Sequence, residues 1–195
     1  MPADKQSFSI EQARADDVPL ILEIANDAAE STAANFATAP EKLEDWNAAW
    51  QQQHEMYPWL VARRGSDVLG FAKASAHKSR GAYRWSVETS VYVDPRRHGQ
   101  GIGSALYKAL FSTLRAQGYV TVLAGIAGGN DMSERLHARA GFVRCATYHR
   151  LGWKFGRWHD VSYWELHLHG TDFIPGDITP ATDAWFAVQT QRQGA

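Results

Sequence analysis

The 195-residue chain has little cysteine, no long apolar run and almost no excess of either charge. Its single cysteine, Cys145, excludes an intrachain disulfide and a thiolate metal cluster. No stretch approaches the ~20 apolar residues of a membrane-spanning helix, and no apolar N-terminal run resembles a signal peptide. We therefore expect a cytoplasmic protein with no membrane partner. A formal net charge of -1 gives no reason to expect a nucleic acid partner.

The composition is that of an ordinary globular protein, with 45% hydrophobic and 21% charged residues. A chain of this length and composition can build one sizeable core. Apolar periodicities of strand and helix type follow one another through most of the sequence, and no linker or repeat divides them. We expect one domain over residues 1–170. Residues 171–195 contain two prolines and little pattern, and are predicted to be a loosely packed C-terminal arm of uncertain order.

The predicted elements follow the order strand, helix, helix, three strands, helix, strand, helix and two strands. This order predicts an α/β (α+β) fold with a mixed central sheet covered by helices. The predicted strands are 8–13, 59–63, 68–77, 85–93, 119–126, 143–152 and 161–168, with 154–158 as the loop of the last hairpin. The predicted helices follow Asp17 and Pro40, run from 105 to 118, and cover 131–140.

The most informative stretch is the glycine-rich run at 91–104, in which a strand ends at Pro95 and an amphipathic helix follows. Three glycines at alternate positions allow a tight turn with exposed N–H groups, and the helix N-terminus adds about half a positive charge. The run therefore predicts a cradle for a diphosphate. It is not a P-loop, because Lys108 lies a full turn inside the helix. The two-and-two glycine spacing, and the lack of an acid in 120–127, also exclude a dinucleotide fingerprint.

The segment 96–101 matches the pattern Arg/Gln-x-x-Gly-x-Gly/Ala. It resembles the coenzyme A signature of the GNAT N-acetyltransferases. The similarity extends to the phosphinothricin acetyltransferase subfamily over residues 8–168, in the same order and spacing. The resemblance implies the GNAT fold, a mixed central sheet flanked by helices on both faces, with acetyl-CoA as cosubstrate. The segments that carry it are 35–36, 78–83, 85–95, 130–142 and 158–161.

The cradle and the resemblance together assign the cofactor contacts. Backbone N–H groups from 99 to 104 are expected to hold the diphosphate, and the amide-rich pantetheine arm can pair with the edge of the preceding strand. An asparagine at 130 is expected to bond the pantetheine, with an ordinary turn or helix cap as the alternative. The predicted cofactor-binding residues are Val91, Tyr92, Val93, Gly99, Gln100, Gly101, Ile102, Gly103, Ser104 and Asn130.

Two residues are predicted to be catalytic. An alkyl ammonium must lose a proton before it can attack a thioester. Glu88, which lies between Val87 and Thr89 on the strand before the glycine run, is the candidate base. The alternative is a solvated carboxylate on the outer side of an alternating strand. The resemblance implies that Glu88 is the base and that His137 protonates the departing thiolate. His137 ranks second, because a lone helical histidine is often structural and coenzyme A can leave as a thiolate.

The resemblance implies substrate contacts from Phe36, Lys78, Arg80 and Tyr83. An amino acid substrate carries a carboxylate, which the two basic side chains can bind, while the aromatic rings wall the pocket. The alternative for the basic pair is a solvated rim. The His-Asp pair at 159–160 is a weak metal or relay pattern, because no third ligand or nucleophile accompanies it, so no metal is expected.

The predicted function is transfer of an acetyl group from acetyl-CoA to the α-amine of a small amino acid analogue. The resemblance implies phosphinothricin or methionine sulfoximine and sulfone as substrates, with direct attack in a ternary complex. The alternatives are acetylation of a protein N-terminus or another amine, and a non-catalytic acetyl-CoA-binding module. The abundant aromatic residues and the last hairpin also predict a homodimer.

Overall fold

A seven-stranded mixed sheet runs through the computed structural model, which describes residues 7–193 and side chains as far as 191. The strand order is β1-β2-β3-β4-β5-β7-β6, and every neighbouring pair is antiparallel except β4 and β5. The strands are β1 (Ser9–Gln12), β2 (Trp59–Arg64), β3 (Asp67–Ala76), β4 (Ser86–Val93), β5 (Thr121–Ala127), β6 (Val143–Lys154) and β7 (Arg157–His167).

Five α-helices lie within residues 7–193, and the predicted mixed sheet with helices on both faces is confirmed. They are α1 (Val18–Ser31), α2 (Leu43–Gln53), α3 (Ile102–Gln117), α4 (Asp131–Arg139) and α5 (Ala181–Gln193). Alternation along β2 explains the two layers: Trp59 and Val61 pack with α1 and α2, whereas Leu60 and Ala62 pack with α3. No helix within residues 7–193 is both long and apolar enough to cross a membrane.

The C-terminal segment differs from the loosely packed arm that the sequence suggested. Residues 181–193 form α5, and its side chains Ala181, Ala184, Trp185 and Val188 are buried. These positions have the spacing i, i+3, i+4 and i+7 of a helical apolar stripe, which packs against α3. The domain boundary at residue 170 stays a prediction.

The last hairpin is longer than predicted. The ladder between β6 and β7 continues to Trp153 opposite Trp158 and Lys154 opposite Arg157, so only Phe155 and Gly156 form the turn. Both turn residues have positive φ, 50° and 71°. A two-residue turn of this kind matches the twist of the flanking strands, so the pairing runs through the segment that the sequence assigned to a loop.

Candidate active site

The parallel strands β4 and β5 separate halfway along their length. Their pairing is limited to three positions, from Ser86 opposite Thr121 to Glu88 opposite Leu123, although β4 continues to Val93. A cavity of about 660 Å³ lies against the separated halves and reaches the start of α3. Ligands of α/β sheets bind beyond the carboxyl ends of parallel strands, where neighbouring strands diverge. The fold therefore provides a ligand site at the place where the glycine run begins.

The glycine run forms the predicted turn between β4 and α3. A short 3-10 turn at 95–97 is capped by Asp94, whose carboxylate accepts from the Arg96 N–H at 2.9 Å. Gly99 and Gly101 follow with φ of 76° and 82°, in the left-handed region that favours glycine. The first turn of α3 carries no acidic residue. Its N-terminus therefore presents N–H groups and a positive dipole end to the cavity, which suits a diphosphate.

The predicted cofactor residues gather around this one cavity, with a single exception. Gln100 is not among the lining residues, and its side-chain oxygen accepts instead from Arg64 Nη2 at 3.3 Å. Asn130 lines the cavity while also capping α4, because its Oδ1 accepts from the Ser133 N–H at 3.1 Å. The other lining residues from the predicted set are Val91, Tyr92, Val93, Gly99, Gly101, Ile102, Gly103 and Ser104.

His137 also lines the cavity, and it does so with a buried partner that the sequence did not reveal. Its Nδ1 lies 2.8 Å from the Ser133 carbonyl, and its Nε2 lies 2.7 Å from the Tyr107 hydroxyl. A carbonyl oxygen can only accept, so Nδ1 carries the proton and Nε2 accepts from Tyr107. Burial lowers the pKa of His137 and raises the pKa of Tyr107. The pair is therefore held in its neutral form.

Glu88 lies on β4 at the last paired position of the parallel strands, opposite Leu123. Its side chain is half exposed, and its Oε1 is 2.8 Å from Nδ1 of His77, which follows β3 directly. Glu88 does not line the cavity itself, but the next residue, Thr89, does. Burial chiefly, and then the Glu88 charge, raises the pKa of Tyr163 on β7. Glu88 thus sits at the edge of the cavity, on the solvent side.

Three of the predicted substrate residues lie in the loop between β3 and β4, and all three are exposed. Lys78 Nζ is 5.2 Å from the centre of the Tyr83 ring, and that ring meets His77 edge to face at 5.6 Å. Arg80 directly precedes the 3-10 turn that contains Tyr83. The structure therefore connects Lys78 and Tyr83 to Glu88 through His77.

Phe36 is held separately, on the loop after α1. Its ring packs against the backbone of Gly152 on β6 and lies 5.9 Å from the His159 ring. Lys154, which the sequence placed in a loop, is buried, and its Nζ donates to the carbonyls of Ala29 and Asn35. Burial lowers the pKa of Lys154. Both ends of the segment before Phe36 are thus tied to the last hairpin, by a contact that no local pattern could have revealed.

The His-Asp pair at 159–160 has structural partners. His159 is buried with its Nε2 3.1 Å from the Lys154 carbonyl, while Asp160 accepts from the Arg150 N–H at 2.8 Å and pairs with His149 at 2.8 Å. Within residues 7–193 no three His, Cys, Asp or Glu side chains are grouped as metal ligands.

Known proteins resemble this chain both in sequence and in overall fold. The sequence profile of the Acetyltransferase (GNAT) family matches residues 21–142. The chain is 38% identical over 165 residues to phosphinothricin N-acetyltransferase of Streptomyces viridochromogenes, covering 85% of this chain and 90% of that protein. It is 38% identical over 172 residues to L-methionine sulfoximine/L-methionine sulfone acetyltransferase of Pseudomonas aeruginosa, covering 87% and 99%. The crystal structure of a phosphinothricin acetyltransferase from Sinorhizobium meliloti in complex with acetyl-CoA has a TM-score of 0.84 and 31% identity, covering 90% and 97%.

Proposed function

The chain belongs to the GNAT acetyltransferase family, and on that premise we propose that it transfers an acetyl group from acetyl-CoA to the α-amine of a small amino acid analogue. Phosphinothricin, methionine sulfoximine and methionine sulfone are the proposed substrates, because relatives at 38% identity carry those names. The observation that carries the proposal is the cavity between the separated strands, which has a diphosphate cradle at one end and Glu88 at its edge.

The cavity fits acetyl-CoA in the chemistry of its lining. Main-chain N–H groups of 99–104 and the N-terminus of α3 would hold the diphosphate. Beyond Glu88, β4 has no pairing with β5, so its backbone edge at 91–93 is available to the pantetheine amides. Acetyl-CoA supplies an activated thioester when it binds. The residues of this chain then have two tasks, which are to orient the amine and to move protons.

Glu88 is the proposed base. An alkyl ammonium is mostly protonated near pH 7 and cannot attack a carbonyl until the proton is removed. The Glu88 carboxylate stands where the paired strands end, and among residues 7–193 its hydrogen bond is made through Oε1, to His77. It can take the proton directly or through one water molecule.

The assignment of His137 as the acid stays a prediction, ranked below that of Glu88. Its Nε2 accepts from Tyr107 and so has no proton to give in this arrangement. Coenzyme A is moreover a tolerable leaving group as a thiolate, because the pKa of a thiol is near 8.5. We expect a milder loss of rate from its removal than from removal of Glu88.

Substrate selection is proposed to rest on Lys78, Arg80, Tyr83 and Phe36. The two cations would bind the substrate carboxylate, and Arg80 would offer a bidentate fork. The exposure of all four side chains leaves them free to meet a small ligand from solution. A homodimer stays a prediction.

The test is steady-state acetylation by the Glu88→Gln variant, with the three proposed substrates and a peptide N-terminus as alternative acceptors. We expect kcat to fall by about 10²–10⁴ between pH 6 and 9, since this is the usual worth of a general base. The control is Glu11→Gln, which removes another strand glutamate with a basic partner, Arg63 at 3.2 Å, from the far edge of the sheet. A Glu88→Gln enzyme at the wild-type rate would refute the base, and preference for the peptide would refute the substrate class.

A further inference from the structure

An imidazole–carboxylate pair joins β4 to the residue that directly follows β3, at the edge of the site. Glu88 on β4 stands opposite Ser75 on β3, and His77 lies two residues further along the chain, with its backbone N–H directed to the Ser86 carbonyl at 3.4 Å. The His77 ring therefore reaches Glu88 diagonally across the ladder, where long side chains can meet. The Nδ1–Oε1 distance is 2.8 Å.

The surroundings of His77 restrict its ring. Its side chain is only 19% exposed, whereas that of Glu88 is 49% exposed. The Tyr83 ring meets it edge to face at an interplanar angle of 81°, and Lys78 Nζ lies 5.2 Å from the centre of the same Tyr83 ring. A carboxylate can only accept, so Nδ1 donates to Glu88. His77 is thus the more fixed partner, and Glu88 is the side chain that the bond restrains.

We propose that His77 is a positioning residue for Glu88: by binding Oε1 it fixes the carboxylate rotamer and leaves Oε2 to face the substrate amine. The inference rests on the proposed function, because it gives Glu88 the role of base. A half-exposed glutamate on a strand otherwise samples several rotamers. Catalytic groups act efficiently only when neighbours hold them in the productive geometry. The same imidazole also contacts Tyr83, so the base and one predicted wall of the substrate pocket share a support.

The test compares three single variants by steady-state kinetics. His77→Leu removes the Nδ1 donor and replaces the ring by an apolar side chain of similar bulk. His77→Asn keeps an N–H donor near the position of Nδ1. His149→Leu is the matched control, because it breaks another Nδ1–carboxylate pair of 2.8 Å, with Asp160 on β7, outside the cavity lining.

We expect His77→Leu to lower kcat about tenfold, the worth of one charge-assisted hydrogen bond, with KM for both substrates within about twofold. His77→Asn is expected to recover most of that loss, and His149→Leu to keep the wild-type kcat. An unchanged kcat in His77→Leu, or an equal loss in the leucine and asparagine variants, would overturn the inference.

A double variant separates this inference from the proposed function. If His77 acts through Glu88, adding His77→Leu to Glu88→Gln causes no further loss of kcat, whereas independent effects would multiply. Full activity of Glu88→Gln alone would refute the base and hence the proposed mechanism. A strong loss in Glu88→Gln together with an independent tenfold loss from His77→Leu would refute only the positioning role.

Discussion

The two sides of the candidate site are built in different ways. On the cofactor side, nine of the ten predicted residues line one cavity, and the main contributors are the backbone of the glycine turn, the N-terminus of α3 and the free edge of β4. On the substrate side, Phe36 and the residues of the β3–β4 loop are exposed side chains on separate elements, and they do not line that cavity. A binding site made of backbone groups depends on the geometry of its turn, whereas a site made of side chains depends on the residues that pack against each side chain.

The supports on the substrate side come from distant parts of the chain. Phe36 rests on Gly152, and Lys154 binds the carbonyls of Ala29 and Asn35 on either side of the segment before Phe36. Three contacts thus connect the last hairpin to the C-terminal part of α1 and to the loop that follows it. Small changes in the hairpin should therefore alter amine binding and leave acetyl-CoA binding unchanged.

The largest such effect is expected from Gly152→Ala. A Cβ at this position would lie 2.8 Å from Cζ of Phe36, too close for an ordinary contact, so the ring must move. Overpacking of this kind costs about 1–3 kcal/mol, and we expect KM for the amino acid substrate to rise about tenfold, with KM for acetyl-CoA unchanged. Gly176→Ala is the control, because a Cβ there meets no atom within 4 Å. Equal rises in KM for the amine and for acetyl-CoA would mean that the hairpin does not support the substrate side alone.

A smaller effect, on the opposite side, is expected from Gly101→Ala. The φ of 82° at Gly101 is disfavoured for any residue with a Cβ by about 1–2 kcal/mol, although no atom lies within 4 Å of the new methyl group. Relief of that strain would tilt N–H groups of the cradle, so we expect KM for acetyl-CoA to rise about fivefold while KM for the amine stays within twofold.

The matched control for Gly101→Ala is Gly65→Ala, in the β2–β3 turn. Gly65 has a φ of 60° and an equally open surrounding, so the alanine causes similar backbone strain far from the cradle. Both variants should lose similar stability in denaturant unfolding. Only Gly101→Ala should raise KM for acetyl-CoA. A similar rise in Gly65→Ala would mean that lower stability alone explains the change in KM.

The same contrast explains what the sequence could predict. Gly99 and Gly101, next to a strand end and a helix start, specify their turn locally, so the cradle and its neighbours on β4 followed from spacing. His77 and Glu88 are 11 residues apart, and only the β3–β4 register makes them neighbours. Lys154 and Ala29 are 125 residues apart, beyond the reach of any local pattern.

The C-terminal helix is a different case, because its signal was present in the sequence. Ala181, Ala184, Trp185 and Val188 carry the apolar spacing of a helix that packs on one face. Pro175 and Pro180 precede that stripe, and Pro180 stands directly before the helix, where proline is well tolerated. The prolines therefore mark a helix start and are not a sign of weak order.

The cofactor side is built mainly from backbone groups, but His137 contributes a buried side chain. The smallest predicted effect is the pH dependence of stability that this side chain causes. His137 is buried beside Tyr107, and burial lowers its pKa from the ordinary value near 6.5. Below pH 6.5 the unfolded chain takes up a proton at this histidine and the folded chain resists it. The unfolded state then binds more protons, so this group's contribution to stability is lost as pH falls.

Denaturant unfolding at pH 7.5, 6.5 and 5.5 measures this contribution in wild type, His137→Gln and Tyr107→Phe. We expect the free energy of unfolding of the wild type to fall more steeply than that of His137→Gln, by no more than about 1.4 kcal/mol per pH unit. Tyr107→Phe should be intermediate, because the hydroxyl donates only to the neutral imidazole and its loss makes protonation easier. Parallel slopes in all three proteins would mean that the folded chain protonates His137 as readily as the unfolded chain does. His137 would then not be held neutral by its burial beside Tyr107.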